Sequence, residues 1–234
     1  MTDITLYYNP TPNGHKPLLL LEELGANYEI RHVDIERGDQ FEPWFDDISP
    51  NNRIPAIVDH RPADSGDPLP VFESGAILHY LADKYGRYLP TGRRARTQVM
   101  EWLFWQVGGL GPMAGQAHHF LHYAPERVDY ARERYGDECT RLYSVMDRRL
   151  AGRDYLAGAY SIADMASWGW VMRHERHGQN LDDFPELARW YAAIESRPAV
   201  GRVREIAARY RGVSASVSDR SRDILFTPRK KSKS

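Results

Sequence analysis

The sequence predicts a two-part protein, a small α/β sandwich followed by an all-helical bundle. Two observations lead there. Over roughly the first 85 residues, strand-like and helical stretches alternate. From Arg93 to Tyr210 only helical periodicity remains, and Gly86 marks the change. The chain therefore divides into 1–86, an α/β unit, 93–211, an all-α unit, and a tail over 212–234.

Ile4-Thr5-Leu6-Tyr7-Tyr8 is rich in β-formers and is closed by Asn9-Pro10, so it reads as the first strand. Alternation buries at least one of Tyr7 and Tyr8. Leu18 to Leu24 is a leucine-rich helical stretch, and Gly25 is placed as its stop. Tyr28 to Asp34 alternates as a second strand, and Phe41 to Ile48 makes at most a short helix. Ile54 to Asp59 and Leu69 to Phe72 are two further strands, joined by a loop rich in Pro, Asp and Gly. Ser74 to Tyr85 carries Ile77, Leu78, Leu81 and Tyr85 at helical spacing. The order is β-α-β-α-β-β-α. In the second half the helical pattern breaks near Gly108 to Pro112, Gly152 to Ala159 and Gly178 to Phe184. The tail has low apolar content and ends Arg229-Lys230-Lys231-Ser232-Lys233-Ser234, a charge run that reads as solvated and flexible.

Composition excludes several classes. The 234 residues carry a net charge of -1, which gives no push toward nucleic acid or an anionic membrane. No stretch approaches the ~20 apolar residues of a membrane span. Met1 to Asp3 leads into a strand without the blocks of a signal peptide, and the one cysteine, Cys139, fits a reducing compartment. The expected location is the cytoplasm.

Four constellations carry chemistry. In Asn51-Asn52-Arg53-Ile54-Pro55-Ala56-Ile57-Val58, a cis Ile54-Pro55 bond would turn the chain and let the backbone of Ile54 pair with a peptide-like ligand. About 5% of X–Pro bonds in folded proteins are cis, so the spacing alone leaves an ordinary edge-strand proline. In Phe72-Glu73-Ser74-Gly75-Ala76-Ile77 a strand runs into a helix whose free N–H groups suit a carboxylate. The Ser74 hydroxyl adds a donor and Glu73 accepts from an ammonium, together a site for an amino-acid zwitterion. Taken singly, Ser74 is a plain N-cap.

In Thr11-Pro12-Asn13-Gly14-His15-Lys16, Thr11 and Pro12 form a cap and first-turn pair. Pro17 fits poorly inside a helix under way, so Asn13 is an alternative cap. In either case polar side chains and free N–H groups meet at one helix start, where a thiolate supplied by a ligand is stabilised. Ser161-Ile162-Ala163-Asp164 is a capping box, and structural. His118, His119 and His122 have metal-like spacing without a carboxylate or cysteine in register, and no metal is expected. Cys139 lacks a second thiol and reads as a packed small residue. Trp102 and Trp105 read as core.

In this order the four constellations resemble the glutathione transferase superfamily over about residues 3 to 210. Thr11 to Lys16, Ser49-Pro50-Asn51-Asn52, Phe72 to Leu78 and Trp102-Leu103-Phe104-Trp105-Gln106-Val107-Gly108-Gly109-Leu110-Gly111-Pro112 are similar to its bacterial nu class, the glutathione-dependent disulfide-bond oxidoreductases. The resemblance implies a thioredoxin-like N-terminal domain, an all-α C-terminal domain and a homodimer. It also implies glutathione or its disulfide as substrate, with no permanently bound cofactor. Thr11 and Asn13 would lie near the sulfur, Gln40 at the glycine end, and Ile54 with Pro55 at the cysteinyl backbone. Glu73 and Ser74 would hold the γ-glutamyl end, and Arg134 would reach across the dimer. Cys139 lies outside these motifs, so the expected nucleophile is the glutathione thiolate and the reaction is reduction of small disulfides. The alternatives are conjugation of glutathione to electrophiles, or a glutathione-binding regulatory protein without turnover.

Overall fold

The structure is a computed structural model that describes residues 2–210 and 219–226. The basic end of the tail lies outside the described residues. The first half contains β1 (Ile4–Tyr8), α1 (Pro12–Leu24), β2 (Tyr28–His32), α2 (Pro43–Asp46), β3 (Ala56–Asp59), β4 (Leu69–Phe72) and α3 (Ser74–Tyr85). The strands form one sheet in the order β2-β1-β3-β4. β1 and β2 are parallel, and the other two pairs are antiparallel. This is the thioredoxin-like arrangement. The second half contains α4 (Arg93–Trp105), α5 (Gly111–His122), α6 (Asp129–Leu150), α7 (Ile162–Val171), α8 (Pro185–Glu195) and α9 (Pro198–Tyr210).

Every residue of β1 is buried, Tyr7 and Tyr8 alike. β1 is a central strand with side chains on both covered faces. Tyr8 joins the main core, and Tyr7 a smaller cluster with Val33, Phe45 and Ala56. β3 begins at Ala56 because Pro55, after a cis Ile54–Pro55 bond, has no N–H for the ladder. The helix expected over Phe41 to Ile48 shrinks to one turn of α2, preceded by a 3₁₀ turn at Asp39–Phe41.

α1 starts six residues before the leucine run that announces it. Pro12 occupies its first turn, Thr11 is its cap, and Gly25, at φ 63°, ends it. Pro17 sits inside α1 and withholds the N–H that would return to the Asn13 carbonyl. Leu18, Leu19, Leu20 and Leu21 are all fully buried, because α1 packs against α3 on one side and α7 and α9 on the other. One core therefore spans both halves, running from Leu20 to Trp168 and Leu142. The Ser161 box opens α7 as the spacing predicts. Ala163 N–H donates to Ser161 Oγ, and Ser161 N–H donates to Asp164 Oδ2 at 3.0 Å.

Part of the tail has structure that its composition does not announce. Residues Asp219–Phe226 form a further helix, α10. Its Phe226 ring lies edge-on to His119 at 4.9 Å and 5.4 Å from Tyr123. No helix among the described residues is long and apolar enough to cross a membrane.

Candidate active site

The site begins where β1 hands over to α1. Thr11 settles the choice of cap: its Oγ1 accepts from Gly14 N–H at 3.1 Å. Asn13 is thereby relieved of capping, which corrects the alternative reading, and its side chain points elsewhere. Asn13 Oδ1 accepts from Trp170 Nε1 at 3.0 Å. An indole N–H is donor only, so the amide oxygen faces the ring and the amide NH₂ is turned away as a donor. Two glycines permit this approach. A Cβ at Gly14 would meet the Asn9 carbonyl at 2.2 Å, and one at Gly169 on α7 would meet the Pro12 carbonyl at 2.4 Å.

The start of α3 is the second part. Glu73 caps the helix with backbone alone, at φ 68° and ψ 117°. For a residue with a Cβ, this left-handed region costs on the order of 1–3 kcal/mol and is typical of ligand clamps. Ser74 is the first helical residue, which overturns its reading as a plain N-cap. Its Oγ instead accepts from Lys16 Nζ at 3.2 Å. The same ammonium donates to Gln106 Oε1 at 2.7 Å. Gln106 belongs to a π-helical stretch, Gln106–Leu110, between α4 and α5. Such stretches are rare and recur at functional sites.

These parts face a cavity of about 720 Å³ between the two halves. Asn13, Lys16, Glu73, Ser74, Gln106 and Trp170 line it, with Arg53 at one edge and His119, Leu225 and Phe226 at the other. A smaller recess of about 240 Å³ continues from it along Ile54, Pro55 and Asn51. Asn51 Nδ2 donates to Glu73 Oε1 at 3.3 Å, which ties the recess to the α3 start.

Of the expected residues, the structure brings together Asn13, Ile54, Pro55, Glu73 and Ser74. Thr11 stands one step behind the wall, its oxygen occupied by the cap. Gln40 is buried beside the recess and lines neither cavity. Its Nε2 donates to the Ile35 carbonyl at 3.2 Å, and its own carbonyl accepts from Asn52 Nδ2 at 3.0 Å. Arg134 is exposed on α6 and lines neither cavity. Lys16 and Gln106 lie in motifs quoted above and His119 in the histidine cluster, but the sequence reading assigned none of them to the site, and it did not single out Trp170. For Lys16 the available signal was a charge one residue ahead of the buried run Pro17 to Leu21.

The remaining residues fall into structural roles. Cys139 is fully buried beside Ala114 and Ala117, and burial pushes its thiol up to about 12. Trp102 and Trp105 pack edge to face at 5.2 Å against the core. His118 accepts from Arg176 Nε at 3.0 Å, and burial, with Arg176 beside it, pulls its imidazole down to about 4. Among the described residues, no three His, Cys, Asp or Glu side chains are grouped to hold a metal ion.

Comparison with known proteins agrees with this geometry. The glutathione S-transferase N-terminal domain matches residues 2–83, and the C-terminal domain matches residues 112–198. The chain belongs to the glutathione S-transferase family and is an enzyme of that fold. Within the family it is 54% identical to the disulfide-bond oxidoreductase YfcG of Escherichia coli, over 85% of this chain and 93% of that one. A glutathione transferase from Pseudomonas putida, solved with one glutathione disulfide per subunit, is 43% identical with a TM-score of 0.83, over 87% of this chain and 91% of that one. A family member from Pseudomonas fluorescens, solved with two glutathiones bound, is 43% identical with a TM-score of 0.81, over 86% and 91%.

Proposed function

We propose that this enzyme reduces small disulfides with glutathione as its thiol, as the nu-class resemblance implies. The observation that carries the reading is the Asn13 amide, fixed by Trp170 so that its NH₂ is left to donate beside the α1 start. Cys139, the chain's one cysteine, is buried away from the cavity, so the nucleophile comes from the ligand. Glu73 and Ser74 hold the γ-glutamyl end, the backbone of Ile54 before Pro55 pairs with the cysteinyl residue, and Gln40 serves the glycine end. The Asn13 amide, with Thr11 behind it, stabilises the thiolate. A drop of one pKa unit needs ~1.4 kcal/mol of preference for the thiolate, within reach of one charge-assisted hydrogen bond and a helix N-terminus.

The glutathione thiolate attacks one sulfur of the substrate disulfide. A mixed disulfide forms and the other sulfur leaves as a thiolate. A second glutathione thiolate attacks the mixed disulfide at the glutathione sulfur, giving glutathione disulfide and releasing the second substrate thiol. The relatives solved with two glutathiones bound, or with one glutathione disulfide per subunit, support a cavity of this capacity. The enzyme works as a cytoplasmic homodimer, with Arg134 of each subunit serving the other's site. An apolar groove between α3 and α4, lined by Ala76, Met100, Leu103 and the 67% exposed Phe104, supports that assembly.

Steady-state assay with glutathione and hydroxyethyl disulfide tests the activity, beside an aryl halide as electrophile. Turnover of the disulfide well above that of the halide is expected. Turnover of the halide alone overturns the reading in favour of conjugation, and turnover of neither in favour of a binding protein.

A further inference from the structure

Behind the cavity wall, Ser74, Lys16 and Gln106 form a polar chain that joins the two halves of the molecule. Lys16 is 2% exposed, and both of its hydrogen bonds go to neutral oxygens, Ser74 Oγ and Gln106 Oε1. An ammonium only donates, so Ser74 spends a lone pair on it and its hydroxyl hydrogen is left to donate elsewhere. Gln106 is oriented in the same way. Its oxygen is held by Lys16, and its Nε2 is buried without a hydrogen-bond partner. A Cβ at Gly111 would stand 2.8 Å from that nitrogen, so the glycine keeps its place open. A buried cation with neutral partners is unfavourable unless an anion approaches it.

We propose that Lys16 is the positioning cation of the glutathione site. Through Ser74 it aims a donor at the carboxylate of the γ-glutamyl group, and the anionic ligand binds together with a proton taken up by Lys16. The inference rests on the glutathione reading above and adds a charge that this reading lacks. Burial draws the Lys16 ammonium down to about 7, against a partial opposing pull from Glu73. Near neutral pH the free enzyme is therefore divided between charged and neutral Lys16, and an arriving carboxylate favours the charged form.

Few other groups compete for this role. Glu73 faces Lys16 from α3, and Arg53 and His119 line the same cavity. The π-helical stretch and α7 present Gln106 and Trp170, which carry no charge. β1 brings Tyr8, hydrogen-bonded to His15 at 3.1 Å. Arg197, just ahead of α9, and Arg202 on α9 are engaged by Glu23 and Glu22 at the far end of α1.

The test is calorimetric titration with S-methylglutathione, whose blocked sulfur has no proton to lose. It is run in two buffers of different ionisation enthalpy between about pH 6 and 8.5. The wild-type enzyme is expected to take up protons on binding. Its Kd should rise above pH 7 with a slope approaching tenfold per unit. Lys16→Met should abolish the uptake, flatten the profile and weaken binding roughly tenfold at the acid end. His119→Gln should keep the uptake. Wild-type binding with no proton exchange overturns the proposal, as does uptake that survives Lys16→Met or vanishes in His119→Gln. The wild-type arm decides even where the Met variant does not fold. Failure to bind S-methylglutathione at any pH is a separate outcome, which overturns the glutathione reading itself and the proposal with it.

Discussion

The cavity has two walls built in different ways. On the α/β side, backbone conformation aims each group: Asn13 at the first turn of α1, Ile54 before a cis proline, Glu73 at a positive φ. On the helical side, the wall is assembled from side chains far apart in sequence. Lys16 meets Gln106 across 90 positions, and Asn13 meets Trp170 across 157. In the proposed reading, the first wall supplies the groups that hold glutathione, its readers. The second fixes which atom of each group faces outward, since Trp170 orients the Asn13 amide and Gln106 holds Lys16 of α1, which in turn orients Ser74. A site of this kind fails in two distinct ways, by losing a reader or by losing what aims it.

The largest effect is expected from removing a reader. Glu73→Ala and Ser74→Ala should each weaken glutathione binding by ~1.5–3 kcal/mol, the usual loss for a contact to a charged group. Isothermal calorimetry checks this, and unchanged affinity in both variants would falsify the placement of the γ-glutamyl end. Asn13→Ala comes next, with kcat for disulfide reduction lowered by roughly tenfold as the bound thiol pKa rises by about one unit. Its pH–rate profile should move toward alkaline values, with affinity for glutathione disulfide changed less. Trp170→Phe keeps the reader and removes what aims it, so it should give the same shift at smaller size. A shift in Asn13→Ala without one in Trp170→Phe would break the distinction between the walls.

That distinction also explains what the sequence made legible. Strand boundaries at Leu69 and Phe72, the helix from Ser74 to Tyr85 and the capping box at Ser161 follow from local rules, and the structure reproduces them. Asn13, Ile54, Glu73 and Ser74 were readable because each sits in a short motif whose backbone does the aiming. Gln106 was not, because a single amide between Trp105 and Val107 gains meaning only once a π-helical turn and Lys16 bring it to the cavity. The plain-cap reading of Ser74 failed for the same reason, since its partner lies 58 positions away. α10 was missed because only two of its apolar residues, Leu225 and Phe226, reach the cavity, from a tail of otherwise polar composition.

Two smaller effects sharpen the comparison, one where the walls meet at Lys16 and one at the outer wall. Lys16 has a folded-state pKa of about 7 against 10.5 in an unfolded chain. Between those values the unfolded chain holds a proton that the folded one lacks, so this contribution to stability is present at alkaline pH and is lost as pH falls through 7. The ligand-free wild type should therefore gain melting temperature relative to Lys16→Met between about pH 7 and 9, at ~2–4 °C per kcal/mol for a chain of this size. A constant difference across that range would contradict the buried charge. Phe226→Ala removes one ring of the outer wall and leaves every reader in place. KM for the disulfide should rise by about two- to threefold with kcat unchanged, since truncating a half-exposed aromatic loses only part of its ~1.5–3 kcal/mol of burial. A fall in kcat instead would move Phe226 among the groups that act on the reacting sulfurs.

The smallest expected effect is a null, at Cys139. Disulfide exchange needs a thiolate, and the thiolate population falls tenfold for each unit by which the thiol pKa exceeds the pH. Burial, with Glu138 adding to it, holds the Cys139 thiol near 12. Its side chain packs on Ala114 and Ala117, and none of these three residues lines the cavity. A cysteine so placed has neither the charge nor the access to attack a substrate. Cys139→Ala is a cleaner test than Cys139→Ser, because serine would bury a hydroxyl where the neighbours are apolar, at a cost of ~1–3 kcal/mol. Alanine loses a single sulfur atom, a gap of methyl size worth ~1 kcal/mol. The variant should melt a few degrees lower and retain kcat/KM for hydroxyethyl disulfide within about twofold. Stability and turnover measured on one sample separate the two roles. A variant that melts like the wild type and has lost most of its turnover would return the nucleophile to the protein. Full turnover at a lowered melting temperature leaves the glutathione sulfur, held before Asn13, as the attacking atom.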